Sequence, residues 1–324
     1  MRWRKRWVQG LLAAGVAAGL AMAGWQASVR DMQAQHARLA AAGSRVLATP
    51  CGEIEVAWRG SGDTSVLVVH GSGGGFDQGL ALAEAFVPTG VRVIAPSRFG
   101  YLRTPLPADA SPAAQADAFA CLLDALRIEG SVAVIGVSAG AMSAAQFALR
   151  HAQRTQALAL IVPVGLRPHP AAALPPWGER ALATVLGADI AYGTIARQAP
   201  ALVERYVLAT PPALLRTAEA GERARADRMR LEILPVSARK RGIVNDTQLA
   251  LQPPPMALDA IRVPTLVFSA RDDLYGTFAI AEHAAAHIPG ASLVGFEQGG
   301  HLLIGHRLAV AAAVQGLFAQ GDLR

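Results

Sequence analysis

The chain has 324 residues, 52% of them hydrophobic and 17% charged, a composition that excludes wholesale disorder and a length that can bury a large core. Of its formal charge of +6, Arg2, Arg4, Lys5 and Arg6 supply four, and the remaining +2 (6 − 4) is no nucleic-acid footprint. The two cysteines, Cys51 and Cys121, make neither a metal cluster nor a disulfide framework; they read as buried free thiols or, in an oxidising compartment, as one pair.

Residues 1–7 are basic with tryptophans at positions 3 and 7, and the apolar stretch Val8–Trp25 follows. Its length reaches the lower limit for spanning a bilayer. The inner run Leu11–Ala23 has signal-peptide length, and Ala21-Met22-Ala23 resembles a cleavage site. Residues 1–25 are therefore expected to be a signal peptide or an N-terminal membrane anchor, with a soluble helix as the plainer alternative. The first two readings keep the basic end in the cytoplasm and export the rest, to the periplasm or another extracytoplasmic space. Residues 26–45 are polar and Ala-rich and read as a stalk or spacer.

The folded domain is expected from Val46. Gly52–Trp58 alternates like a strand, and the turn-forming 59–63 follows. Ser65–Val69 is a continuous apolar run, as in a strand covered on both faces. It enters His70-Gly71-Ser72-Gly73-Gly74-Gly75. This loop lacks the Lys-Ser/Thr pair of a phosphate loop and the acidic partner of a dinucleotide loop. Bare glycine backbone that brings N–H groups to a substrate oxygen suits an oxyanion loop, with His70 bracing it by hydrogen bonding.

Val91–Pro96 is a further strand, entering Ser97-Arg98-Phe99-Gly100-Tyr101, and Ala113–Leu126 an amphipathic helix. The run Val132–Ile135 leads into Gly136-Val137-Ser138-Ala139-Gly140 and a helix over Ala141–Arg150. Strand, G-x-S-x-G turn and helix in that order make a nucleophile elbow, with small residues where strand and helix nearly touch. Ala157–Val162 is another buried strand. Residues 166–258 change character, with proline clusters at 168–176, 211–212 and 253–255 and arginine-rich helical stretches. Strand 264–269, helix 277–288, strand 292–296 and helix 307–319 then restore the alternation. The pattern predicts an α/β fold: a mostly parallel central sheet flanked by helices, built from 46–165 and 259–324, with 166–258 as an inserted helical cap.

A serine hydroxyl needs a base, usually histidine, held by a carboxylate. In this topology they belong on loops after later strands, in the order Ser, acid, His. Strand 264–269 runs into Ala270-Arg271-Asp272-Asp273, and strand 292–296 into Glu297-Gln298-Gly299-Gly300-His301. With the glycine loop and the elbow, these segments resemble the α/β-hydrolase superfamily over roughly residues 50–320. The resemblance implies Ser138 as nucleophile, His301 as base and Asp273 as acid, with Asp272 the alternative acid and His306 the alternative base. It implies oxyanion donors at the N–H groups of Ser72 and Ala139, with Gly73 a substitute for the former, and Gly73 and Phe99 against the substrate. Ser97 stands where many relatives carry the aspartate of an Asp-x-x-Gly loop, a change expected to affect substrate shape more than mechanism.

The expected activity is hydrolysis of a carboxylic ester, lactone or related acyl compound through an acyl-enzyme. An acyltransferase or perhydrolase with the same residues, and a non-catalytic ligand-binding protein of the cell envelope, are the alternatives. Trp177, Tyr192 and Tyr206 in the cap suggest a mainly apolar small-molecule substrate. No nucleic acid, metal or organic cofactor is implied; membrane contact would come through an uncleaved N-terminus. His283 and His287, at i and i+4, lack the Glu and third ligand of a zinc helix and read as a solvated face. His36, His151 and His169 have no constellation around them.

Overall fold

The computed structural model describes residues 2–62, 64–167 and 175–321. Eight strands form one sheet: β1 (Arg45–Thr49), β2 (Gly52–Arg59), β3 (Ser65–Val69), β4 (Arg92–Pro96), β5 (Val132–Val137), β6 (Thr155–Ile161), β7 (Thr265–Ala270) and β8 (Ser292–Phe296). Their order is β1-β2-β4-β3-β5-β6-β7-β8, with β1/β2 and β2/β4 antiparallel and the other pairs parallel. Strand β1 was not anticipated: Arg45 falls at the end of the expected spacer, and a five-residue edge strand with both faces part-exposed leaves little apolar signal.

The continuous apolar runs have a direct cause. Leu67, Val69, Val132 and Val134 face α3 (Pro112–Ala125), α4 (Gly140–Arg150) and α11 (Thr277–His287), packing with Phe119, Leu122, Phe147 and Ala281. Their neighbours Val66, Val68, Ala133 and Ile135 point the other way, against Phe86 of α2 (Phe76–Phe86) and Val310, Val314 and Phe318 of α12 (Arg307–Gly321). Side chains alternate with period two, so a strand covered on both faces is apolar at every position. The strand order reverses between β3 and β5, the crevice where open α/β sheets bind ligands. The glycine loop after β3 and the Ser138 turn after β5 both open into it.

Between β6 and β7 the chain forms α5 (Pro176–Val185), α6 (Asp189–Gln198), α7 (Pro200–Tyr206), α8 (Pro212–Thr217), α9 (Ala220–Glu232) and α10 (Lys240–Leu251). Prolines near the starts of α5, α7 and α8 suit helix entry, where an N–H has no partner to lose. His169 and most of the first proline cluster lie outside the described residues.

Residues 2–41 form one helix, α1. Among the described residues, no helix is long and apolar enough to cross a membrane. Its second half is not a free stalk. Ser28 Oγ lies 2.9 Å from Thr194 Oγ1, Asp31 pairs with Arg197 on α6, and Arg38 reaches Asp77 at 2.6 Å. Asp77 also meets the fully buried Arg239 at 3.0 Å, so one carboxylate joins α1, the sheet-flanking α2 and the helical insertion. Burial alone would raise this carboxyl; Arg239 first, then Arg38, outweigh it and bring it down to about 2.

Cys51 and Cys121 are joined in a disulfide, Cα atoms 6.0 Å apart, tying the β1–β2 turn to α3. Of the two readings left open by the sequence, free thiols or one pair, the structure holds the pair. Closing a loop of 70 residues removes unfolded-state entropy, and the cross-link is expected to add about 2–4 kcal/mol. Urea unfolding checks this: Cys121→Ser and reduced wild type should lose the same stability, and reductant should not change the variant further.

Candidate active site

Ser138 sits at the turn between β5 and α4 with φ +52°, a left-handed conformation that costs a non-glycine residue about 1–2 kcal/mol. Its backbone is clamped there. The N–H donates to the Ile161 carbonyl at 2.9 Å, and its carbonyl accepts from Ala141 at 3.0 Å and Val164 at 3.1 Å. The flanking glycines are steric necessities. A Cβ on Gly140 would lie 2.4 Å from the His70 carbonyl oxygen, and one on Gly136 would lie 2.5 Å from Ala144 Cβ.

His301 Nε2 lies 2.9 Å from Ser138 Oγ, and its Nδ1 lies 2.7 Å from Asp273 Oδ2. A carboxylate only accepts, so Nδ1 carries the proton and Nε2 presents a lone pair to the serine O–H. Asp273 is fixed by the Tyr275 N–H at 2.8 Å and by a short hydrogen bond from Thr277 Oγ1, which itself lies 2.9 Å from Ser269 Oγ. The Asp273 side chain is fully buried, and that of His301 is 10% exposed. The adjacent Asp272 braces the histidine loop instead, its Oδ1 accepting from the Gly300 N–H at 2.8 Å. His306 is remote from the serine, with Nε2 2.9 Å from the Gln298 carbonyl and its ring stacked on Phe296.

Ser72 and Ala139 border the same cavity as Ser138. Gly73 is not interchangeable with Ser72, because its N–H is directed to Tyr101 Oη at 3.4 Å. Neither Gly73 nor Phe99 lines the two cavities beside Ser138. Phe99 is buried in the core, its N–H donating to Gln115 Oε1 at 2.6 Å; an aromatic after a strand reads alike in sequence whether it faces substrate or core. Trp177 and Tyr206 point to solvent, 73% and 67% exposed, and Tyr192 donates its hydroxyl to the Arg230 carbonyl. The apolar lining comes instead from Val207, Leu208, Met229 and Ile233, and from Ala250 and Leu251. His283 and His287 lie ring to ring 4.0 Å apart, and among the described residues no cluster of metal-ligating side chains occurs.

His70 is fully buried. Its Nε2 accepts from the Arg98 N–H at 2.9 Å, which leaves Nδ1–H to donate to the Gly71 carbonyl at 2.7 Å. Burial first, and the Arg98 charge second, hold its pKa well below the usual value, so it is neutral. The unfolded chain therefore takes up a proton near pH 6.5 that the native chain refuses. Stability is full above that pH and falls as pH drops below it, until the depressed native pKa is reached. In urea unfolding between pH 7.5 and 5, His70→Gln is expected to remove a slope approaching one proton.

Sequence reasoning missed a residue that completes this loop. Tyr101, wholly buried, places its hydroxyl 3.3 Å from Ser72 Oγ and 2.5 Å from Asp246 Oδ2 on α10. Arg98 grips the same carboxylate with both terminal nitrogens, at 2.8 and 2.5 Å. Burial and the Asp246 charge push the Tyr101 phenol far up, so it stays a donor. Nothing in the spacing of 98, 101 and 246 signals the contact; an arginine and tyrosine in a loop between apolar runs was the one available hint.

The sequence model of the alpha/beta hydrolase fold matches residues 64–306. No curated protein matches the chain. An alpha/beta hydrolase fold protein from Nakamurella multipartita is 31% identical, with TM-score 0.66, covering 86% of this chain and 100% of its own. A thermophilic esterase from Thermogutta terrifontis (24% identity, TM-score 0.64, 86% and 99% covered) shares the fold. So does an esterase from Exiguobacterium antarcticum (19% identity, TM-score 0.63, 86% and 100% covered).

Proposed function

Since the chain belongs to the alpha/beta hydrolase fold family, we propose that it is a serine hydrolase cleaving a carboxylic ester, lactone or related acyl compound. One observation carries the reading: the unbroken line Ser138 Oγ, His301 Nε2, His301 Nδ1, Asp273 Oδ2, with steps of 2.9 and 2.7 Å. Ser138 Oγ attacks the carbonyl carbon while its proton passes to His301 Nε2. The oxyanion is held by the N–H groups of Ser72 and Ala139. His301 then gives its proton to the departing oxygen, leaving an acyl group on Ser138. Water repeats the sequence, giving a proton to His301 as it attacks the acyl carbon, and frees the acid.

We also propose that the protein works outside the cytoplasm. The basic, then apolar, N-terminal sequence supports export, and the Cys51–Cys121 bridge supports an oxidising compartment.

A fluorophosphonate probe tests the catalytic reading. Wild type should be labelled covalently, and Ser138→Ala and His301→Ala should not. A folded wild type that remains unlabelled would overturn it in favour of a non-catalytic ligand-binding protein.

A further inference from the structure

Ser138 stands between two cavities of unequal size. The small one, about 80 Å³, is walled by Leu82, Phe86, Val162, Met229 and Leu302, and His301 lies in its lining. The large one, about 700 Å³, extends past Ala139 to Ala250, Leu251, Ala279 and Ile280. Ser72, Ser138 and Tyr275 border both, but His301 borders only the small cavity and Ala139 only the large.

This division assigns the two halves of an ester. A tetrahedral intermediate on Ser138 carries an oxyanion, an acyl substituent and the leaving oxygen. The leaving oxygen must receive the proton held on His301 Nε2, so it lies on the histidine side, toward the small cavity. The oxyanion faces the N–H groups of Ser72 and Ala139. The acyl substituent is thereby directed away from His301, into the large cavity. On the scale where a cavity of about 150 Å³ encloses a benzene ring, the small cavity has room for roughly three heavy atoms, enough for a methyl or ethyl group and little more. The large one falls in the range of cavities that enclose whole small-molecule ligands. Arg225 helps to close the small side: its Nη2 donates to the Leu302 carbonyl at 2.8 Å and pairs with Glu222 at 2.7 Å.

Resting on the serine-hydrolase reading, we propose that the protein selects esters joining a bulky apolar acid to a small alcohol. Its products are then a large carboxylic acid and methanol or ethanol.

Two isomeric esters test this with equal atom counts and reversed halves: methyl 4-phenylbutanoate and 3-phenylpropyl acetate. The full chain should prefer the methyl ester in kcat/KM by about tenfold or more, the scale on which a closed pocket rejects extra methylenes. Ala250→Trp, which fills the large cavity, should bring the ratio toward one. Met229→Ala, which opens the small cavity, should raise the rate on the acetate about tenfold. Equal rates, or preference for the acetate, overturn the proposal. Failure to cleave either ester while Ser138 still labels with fluorophosphonate overturns it too. Loss of labelling in folded wild type would instead remove the hydrolase reading beneath it.

Discussion

On the serine-hydrolase reading proposed above, Asp273→Asn is expected to lower kcat about 10⁴-fold, the scale of the equivalent change in Ser-His-Asp proteases. The cause lies at one contact. Asp273 Oδ2 accepts from His301 Nδ1 at 2.7 Å and so keeps the lone pair on Nε2, facing Ser138. An asparagine amide can donate to Nδ1, which favours the tautomer with its proton on Nε2 and removes the base. Asp272→Asn is the internal control. Among the described residues Asp272 accepts only from the Gly300 N–H, and an asparagine carbonyl oxygen can still accept there, so the loss should stay within about tenfold. Steady-state kinetics of both variants, with circular dichroism to show folding, decides the matter. A larger loss at Asp272 than at Asp273 would reject the assignment.

The largest expected effect on stability is at Asp246. Its carboxylate is 3% exposed and holds both terminal nitrogens of Arg98, itself 5% exposed, and the hydroxyl of Tyr101. Asp246→Ala would leave the Arg98 cation buried with no counter-charge, a loss of about 3–5 kcal/mol. For a chain of this size that lowers Tm by roughly 4–7 °C. Removing the cation as well should recover much of it, because a buried ion pair stabilises little over apolar side chains of similar volume. Thermal unfolding of Asp246→Ala beside the double variant Arg98→Met/Asp246→Ala measures the difference. A single variant with the wild-type Tm would show that the pair does not fasten α10 to the loop after β4.

Much of the architecture is legible in the chain because its causes are local. Val66–Val69, Val132–Ile135 and Ala157–Ile161 are apolar at every position, since alternating side chains are buried on both faces of a parallel sheet. Gly136 and Gly140 announce the Ser138 turn because any Cβ there would collide with neighbouring backbone or side chains. The order of Ser138, Asp273 and His301 follows from loops leaving successive strand ends on one edge of the sheet.

Contacts between segments far apart in sequence were decided only by the tertiary structure. Asp272 and Asp273 share a loop and a charge, and only the direction of each side chain separates the loop brace from the partner of His301. Phe99 and Trp177 are aromatic in the right segments, yet one is in the core and the other in solvent. Asp246 meets Arg98 across 148 residues, and Asp77 gathers Arg38 from 39 residues before it and Arg239 from 162 residues after it. Hydrophobic periodicity records which side of an element is buried, whereas an ion pair or a cavity wall depends on where two elements meet in space. That meeting leaves no period in either segment, so the sheet and elbow can be read from sequence and the shape of the cavities cannot.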